Sequence, residues 1–144
     1  MKKIIIIGAG AMGSAFAVPC LENKNEVTLV GTHLEDELIN NIQLNNNFHP
    51  ALNIKLPSNL KVEKYDKLKS ILEEGVDIIV VGVSSVGIDW FVNQIAKSYK
   101  KNLPIILLTK GLAIENNELI TLSDKIKKLL NKQGPLIAEI FTSV

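Results

Sequence analysis

Lys3-Ile4-Ile5-Ile6-Ile7-Gly8-Ala9-Gly10-Ala11-Met12-Gly13 decides the fold. Four isoleucines in a row form a β-branched run with no polar alternation, the pattern of a central parallel strand buried on both faces. Three glycines end it, and Ala11 to Leu21 then reads as a helix. Pro19 sits late in that helix and is expected to kink or shorten it. Strand, tight turn and helix thus follow one another within the first 21 residues.

Gly8, Gly10 and Gly13 match G-x-G-x-x-G, a weak pattern by itself but informative between a strand and a helix. Gly8 permits the tight turn, Gly10 leaves room for a pyrophosphate to approach the backbone, and Gly13 lets helix and strand pack closely. The helix start offers unpaired N–H groups and the positive end of a dipole to phosphates. Gly8, Ala9, Gly10, Ala11, Met12 and Gly13 are therefore candidate cofactor-binding residues, with NAD or NADP as the cofactor.

Further along, Glu26–Val30 reads as a second strand and Leu34–Leu44 as a helix with Leu34, Leu38 and Ile42 at four-residue spacing. Phe48 to Asn59, with two prolines, is the longest loop candidate. Leu60–Val62 reads as a short edge strand, Tyr65–Glu73 as a short helix and Val76–Val81 as a buried strand. Ser85–Tyr99 reads as a helix with Ser84 or Ser85 as N-cap, Leu103–Thr109 as a strand and Glu118–Leu130 as an amphipathic helix. The alternation predicts an α/β fold: a Rossmann-type, doubly wound parallel sheet in a single domain, with strand order 3-2-1-4-5. A ligand belongs at the carboxyl ends of its strands.

The 144 residues fit one domain. Net charge is +1, too weak a field to point to nucleic acid or an acidic membrane. All 16 basic residues are lysine, so no guanidinium fork is available to grip phosphate. One cysteine excludes an intrachain disulfide and a cysteine-built zinc site; Cys20 is expected to be a small buried apolar residue. Met1-Lys2-Lys3 followed by apolar Ile4–Val18 imitates an export signal, but the three glycines interrupt the run and fit the strand–turn–helix better. A cytoplasmic location is the default expectation.

The end of the second strand holds Gly31, Thr32 and His33. The acid that usually marks NAD preference is not at that place, and Glu35 and Asp36 are assigned to the next helix start. Thr32 and His33 can bond a ribose hydroxyl or a phosphate, which leaves NAD against NADP open. Gly82-Val83-Ser84-Ser85 should cross the cleft near the nicotinamide ribose, making Val83 and Ser84 candidates; helix capping is the other role open to the serines. Lys110 in Thr109-Lys110-Gly111 ends the fifth strand at the same sheet edge and aims a point charge at the cleft. His49 is a weaker, exposed loop candidate, and Trp90 and Phe91 are assigned to the core.

The glycine turn, Gly31-Thr32-His33-Leu34, His49-Pro50, Gly82–Ser85 and Leu108-Thr109-Lys110-Gly111-Leu112 together resemble the N-terminal domain of NAD(P)-dependent glycerol-3-phosphate dehydrogenase. The resemblance covers Met1 to Gly111 and, more loosely, the rest. It implies a two-domain oxidoreductase that interconverts dihydroxyacetone phosphate and sn-glycerol 3-phosphate, supplying the backbone for phospholipids. It places Thr32 and His33 by the adenosine ribose and gives Lys110 contact with both cofactor and substrate. Gly134-Pro135-Leu136-Ile137-Ala138 is similar to the family's G-P-S-x-A segment, which makes Gly134 a substrate candidate and Ala138 a cofactor candidate. Leu136 replaces the expected serine and cannot donate its hydroxyl hydrogen bond.

The family's all-helical second domain carries the general acid/base lysine and the groups that hold the substrate phosphate. It is not expected within residues 1–144, so these residues are expected to be a truncated, dinucleotide-binding piece with little or no turnover and no catalytic residue of their own. A small phosphate substrate is the expected partner, with no nucleic acid or membrane. A homodimer is plausible on the apolar surface that the second domain would cover. Two alternatives stand beside this: the cofactor domain of a ketopantoate-type reductase, and a non-enzymatic dinucleotide-binding module.

Overall fold

A computed structural model describes residues 1–98, 103–132 and 140–142. In chain order its first elements are β1 (Lys3–Ile7), α1 (Ala11–Glu22), β2 (Glu26–Val30), α2 (Asp36–Leu44), β3 (Phe48–His49), β4 (Ile54–Lys55) and β5 (Lys61–Glu63). A 3-10 turn at Tyr65–Lys67 leads into α3 (Leu68–Glu74), then β6 (Ile78–Val81), a second 3-10 turn at Ser85–Gly87 and α4 (Ile88–Ala96). β7 (Ile105–Leu107), β8 (Leu112–Glu115), β9 (Glu118–Thr121), α5 (Leu122–Lys132) and β10 (Ile140–Thr142) complete it.

β1 lies inside a six-stranded sheet ordered β10-β7-β6-β1-β2-β5, and every pairing in it is parallel. The isoleucines explain the position. Ile5 and Ile7 face one core cluster with Phe91 and Ile95 of α4 and Ile126 and Leu130 of α5. Ile4 and Ile6 face the other, with Ala17 and Leu21 of α1 and Ile39 and Ile42 of α2. Apolar side chains on alternate faces, each met by its own helices, are what double winding requires.

The five strands expected from the sequence keep their relative order, but the sheet has six: β10 adds beyond β7. Two antiparallel hairpins, β3–β4 and β8–β9, were also not expected. The second replaces the proposed start of the last helix, which begins at Leu122 rather than Glu118. Asn116 and Asn117 at its tip have φ of 51° and 63°, the left-handed pair of a two-residue hairpin turn that asparagine tolerates. α2 begins at Asp36, not Leu34. α1 continues past Pro19 to Glu22, so the proline falls in the last turn and does not end the helix.

Among the described residues no helix is long and apolar enough to cross a membrane. Nor does any group of three His, Cys, Asp or Glu side chains among them stand where it could hold a metal ion.

Candidate functional site

The carboxyl ends of β1, β2, β6 and β7 open into a cleft of about 1020 Å³. One wall is Gly10, Ala11 and Met12; others are Thr32 to Glu35, Gly82 to Gly87 with Trp90 and Asn93, and Thr109 with Lys110. A smaller cavity of about 250 Å³ lies at the opposite strand ends, beside Lys3, Glu26 and Lys61, away from the glycine turn.

The three glycines differ in what surrounds them. Gly8 has φ +107°, and a Cβ there would stand 2.5 Å from the Gly82 carbonyl carbon. A Cβ on Gly13 would stand 2.1 Å from the Gly8 oxygen. Both positions are closed by backbone. Gly10 is open: the nearest atom to a Cβ there is Glu35 Oε1, at 3.9 Å. The space in front of Gly10 is thus cleft, as close approach of a phosphate group demands. Gly10 is the N-cap of α1 and makes no side-chain cap bond. Ser14 N–H is bonded to the Gly10 oxygen at 3.0 Å, while the first-turn N–H groups of Ala11 and Met12 have no carbonyl within the helix to reach. A pyrophosphate fits this cradle.

The Ala9 backbone is not part of the open donor set. Its N–H donates to Glu35 Oε2 at 2.9 Å, and its carbonyl accepts Ser14 Oγ at 2.9 Å and meets His49 Nε2 at 2.9 Å. Glu35 Oε2 also accepts the Thr32 N–H, at 2.7 Å. A carboxylate therefore does stand by the end of β2, four residues after Gly31, and ties the glycine turn to the second turn. The T-x-x-E spacing of Thr32 and Glu35 is a capping-box pattern and was the signal for it.

His49 corrects a second expectation. It is fully buried rather than exposed. Leu52 N–H donates to its Nδ1 at 3.2 Å, so Nε2 carries the proton and donates to Ala9. It braces the glycine turn from below.

Trp90 corrects a third. Only one side packs on the core; the ring also lines the cleft and lies against His33, with centroids 5.0 Å apart and planes 32° from parallel. The buried stripe of α4 is Ile88, Phe91, Val92 and Ile95, and Trp90 falls off it. That spacing was visible in the sequence. Cys20 is half-buried rather than buried.

Thr32, His33, Val83, Ser84 and Lys110 all line the cleft. Val83 offers backbone only, because its side chain is in the core and its carbonyl accepts the Thr109 hydroxyl. Ser84 precedes the 3-10 turn but makes no side-chain cap bond, and α4 itself is capped by Gly87, so neither serine caps that helix. Ser84 is exposed and lines the cleft. Lys110 is exposed beside Thr109 and forms no ion pair among the described residues. Gly134 and Ala138 lie outside the described residues, as does Leu136.

Residues 3–140 match the family described as NAD-dependent glycerol-3-phosphate dehydrogenase N-terminus. The chain belongs to that family. Among relatives of this glycerol-3-phosphate dehydrogenase family, an NADP(+)-dependent glycerol-3-phosphate dehydrogenase of Archaeoglobus fulgidus is 33% identical over 126 residues, covering 88% of this chain and 36% of the relative. A glycerol-3-phosphate dehydrogenase [NAD(P)+] of Mesoplasma florum is 37% identical over 130 residues, with the same coverage of 88% and 36%. The chain thus spans about a third of the length of these relatives. The solved glycerol-3-phosphate dehydrogenase of Saccharomyces cerevisiae superposes with a TM-score of 0.72 at 22% identity, covering 98% of this chain and 41% of that one, and shares its fold.

Proposed function

We propose that residues 1–144 are the dinucleotide-binding domain of an oxidoreductase that interconverts dihydroxyacetone phosphate and sn-glycerol 3-phosphate with NAD(H) or NADP(H). The carrying observation is the open face of Gly10 at the start of α1, between two glycines closed by backbone. Family membership supports the glycerol 3-phosphate side of that pair, the compound that the relatives' names give for those proteins.

A bound nicotinamide supplies the hydride acceptor or donor. The chain's own residues bind and orient. Ala11 and Met12 N–H groups and the α1 dipole hold the pyrophosphate. Thr32 and His33 meet the adenosine ribose. Ser84 and the Val83 backbone lie toward the nicotinamide half, and Lys110 offers its ammonium to a phosphate or hydroxyl oxygen of cofactor and substrate. Gly134 and Ala138 are proposed to complete the substrate and cofactor sides.

Residues 1–144 alone are expected to turn over slowly or not at all. Near-attack positioning supplies roughly 7–11 kcal/mol of a barrier and acid/base help roughly 10²–10⁴-fold. Lys110 is the single ammonium lining the cleft among the described residues and encloses nothing by itself. Leu112, Ile114 and Leu119 are exposed on one face of the β8–β9 hairpin, the sort of apolar surface that a substrate domain or a second copy would cover. A cytoplasmic site of action fits such an enzyme.

Calorimetric titration with NADH and NADPH, with a dihydroxyacetone phosphate assay on the same sample, tests this. Dinucleotide binding without turnover is the expected result. Failure to bind either cofactor overturns the dinucleotide reading; brisk turnover overturns the need for groups beyond residues 1–144.

A further inference from the structure

We propose that Trp90 is the stacking platform for the adenine ring, with His33 as its movable cover; this rests on the dinucleotide reading above. Three rings carried by three separate elements meet at the cleft edge. His33 follows β2, Tyr65 opens the 3-10 turn after β5, and Trp90 sits in the first turn of α4. Tyr65 presents itself edge-on to both, at 6.4 Å from His33 and 6.3 Å from Trp90. A pyrophosphate on the start of α1 sends the adenosine half toward the end of β2, which is where this cluster stands.

The two stacked rings are held very differently. Trp90 is part of a helix and packs against the core on its inner side. His33 is exposed in the segment between β2 and α2, and its ring makes no hydrogen bond among the described residues. The 5.0 Å between their centroids is too small for an intercalated ring, since two stacked contacts need roughly 7 Å. Adenine therefore reaches the indole only if one ring leaves, and the imidazole is the one with little holding it. A purine also covers more of an indole than an imidazole does. The chain has no arginine to stack on a base, so the indole is the largest flat apolar surface that the cleft offers.

Trp90 is the only tryptophan, so its emission reports this contact directly. The probe is ADP-ribose, which carries adenine and pyrophosphate but no nicotinamide to absorb the emitted light. A saturable change in Trp90 emission is expected, with nicotinamide mononucleotide leaving the emission unaltered. Trp90→Ala is expected to weaken ADP-ribose about tenfold or more, and Trp90→Phe to restore most of the affinity. Calorimetric binding of ADP-ribose or NADH with unchanged Trp90 emission overturns the proposal without touching the dinucleotide reading. Parent-like affinity in Trp90→Ala does the same, and the emission result in the unaltered chain decides the matter if that variant does not fold. Absence of any calorimetric NADH binding removes the dinucleotide reading and this inference with it.

Discussion

Glu35 Oε2 accepts the backbone N–H of Ala9 at 2.9 Å, across 26 residues of sequence. The bond joins the turn after β1 to the head of α2, and the same oxygen holds Thr32 at 2.7 Å. One carboxylate therefore sets the spacing of the two turns that line this end of the cleft. Glu35→Ala should cost about 2–4 kcal/mol, since it strands two amides bonded to a charged group, one of them on fully buried Ala9. Dinucleotide affinity should fall with it under conditions where the variant is still folded. Glu35→Gln keeps an accepting oxygen and should recover most of both. Denaturant melts and calorimetry check this; an alanine variant as stable as the parent would remove the brace.

Gly10 and Gly13 should separate binding from folding. Gly13→Ala drives a Cβ to 2.1 Å from the Gly8 oxygen, so a loss of about 3 kcal/mol or more is expected. Gly10→Ala meets nothing nearer than 3.9 Å, and its φ of −63° suits alanine. Stability should stay within about 0.5 kcal/mol of the parent while NADH affinity drops, because the new methyl occupies the phosphate approach. Unchanged affinity in a folded Gly10→Ala chain would place the ligand elsewhere.

His49 is a structural histidine by its geometry. Replacing it with alanine removes the donor to the Ala9 oxygen and the acceptor for Leu52, and opens a buried hole. About 2–4 kcal/mol of lost stability is expected, read by thermal or urea unfolding. If His49→Ala instead lowers turnover of an assembled enzyme with no change in stability, the histidine belongs to the chemistry.

Two surface pairs carry a pH signature. Lys61 lies 2.6 Å from Glu26, and its hydrogen bond and then its charge hold the Glu26 carboxyl below the usual carboxylate range. Lys128, at 2.9 Å, does the same for Glu115. Carboxyls lowered in the folded state add stability that is present above the unfolded value and lost as pH falls through the folded one. The lysine partners are raised, so their contribution is present below the ordinary lysine value and is lost as pH climbs through the folded one. Both pairs are exposed and salt weakens them. Carbon-detected titration should show Glu26 and Glu115 ionising below the usual carboxylate range, and Lys61→Met should return Glu26 to its ordinary range. Glu26 titrating unchanged in Lys61→Met would show that the pair does not form in solution.

The eleven residues of the decisive stretch, Lys3 to Gly13, were enough to place β1, the turn and the start of α1. Their meaning is local: four β-branched residues favour a strand buried on both faces, and glycines mark where backbone must come close. The alternation of strands with helices then implies a parallel sheet and the order of its first five strands, because crossovers are right-handed. Thr32, His33, Ser84 and Lys110 line the cleft for the same reason, since each lies two or three residues beyond a strand end. Glu35, His49 and Trp90 were not. Their roles come from contacts between separate strand–helix units: Glu35 with Ala9, His49 with the same Ala9 from 40 residues away, and Trp90 with His33. No periodicity within one segment encodes such a contact. It exists only once the sheet has closed and brought the loops at its carboxyl edge together, which is why the sequence determined the frame of the cleft and the tertiary structure decided what braces and lines it.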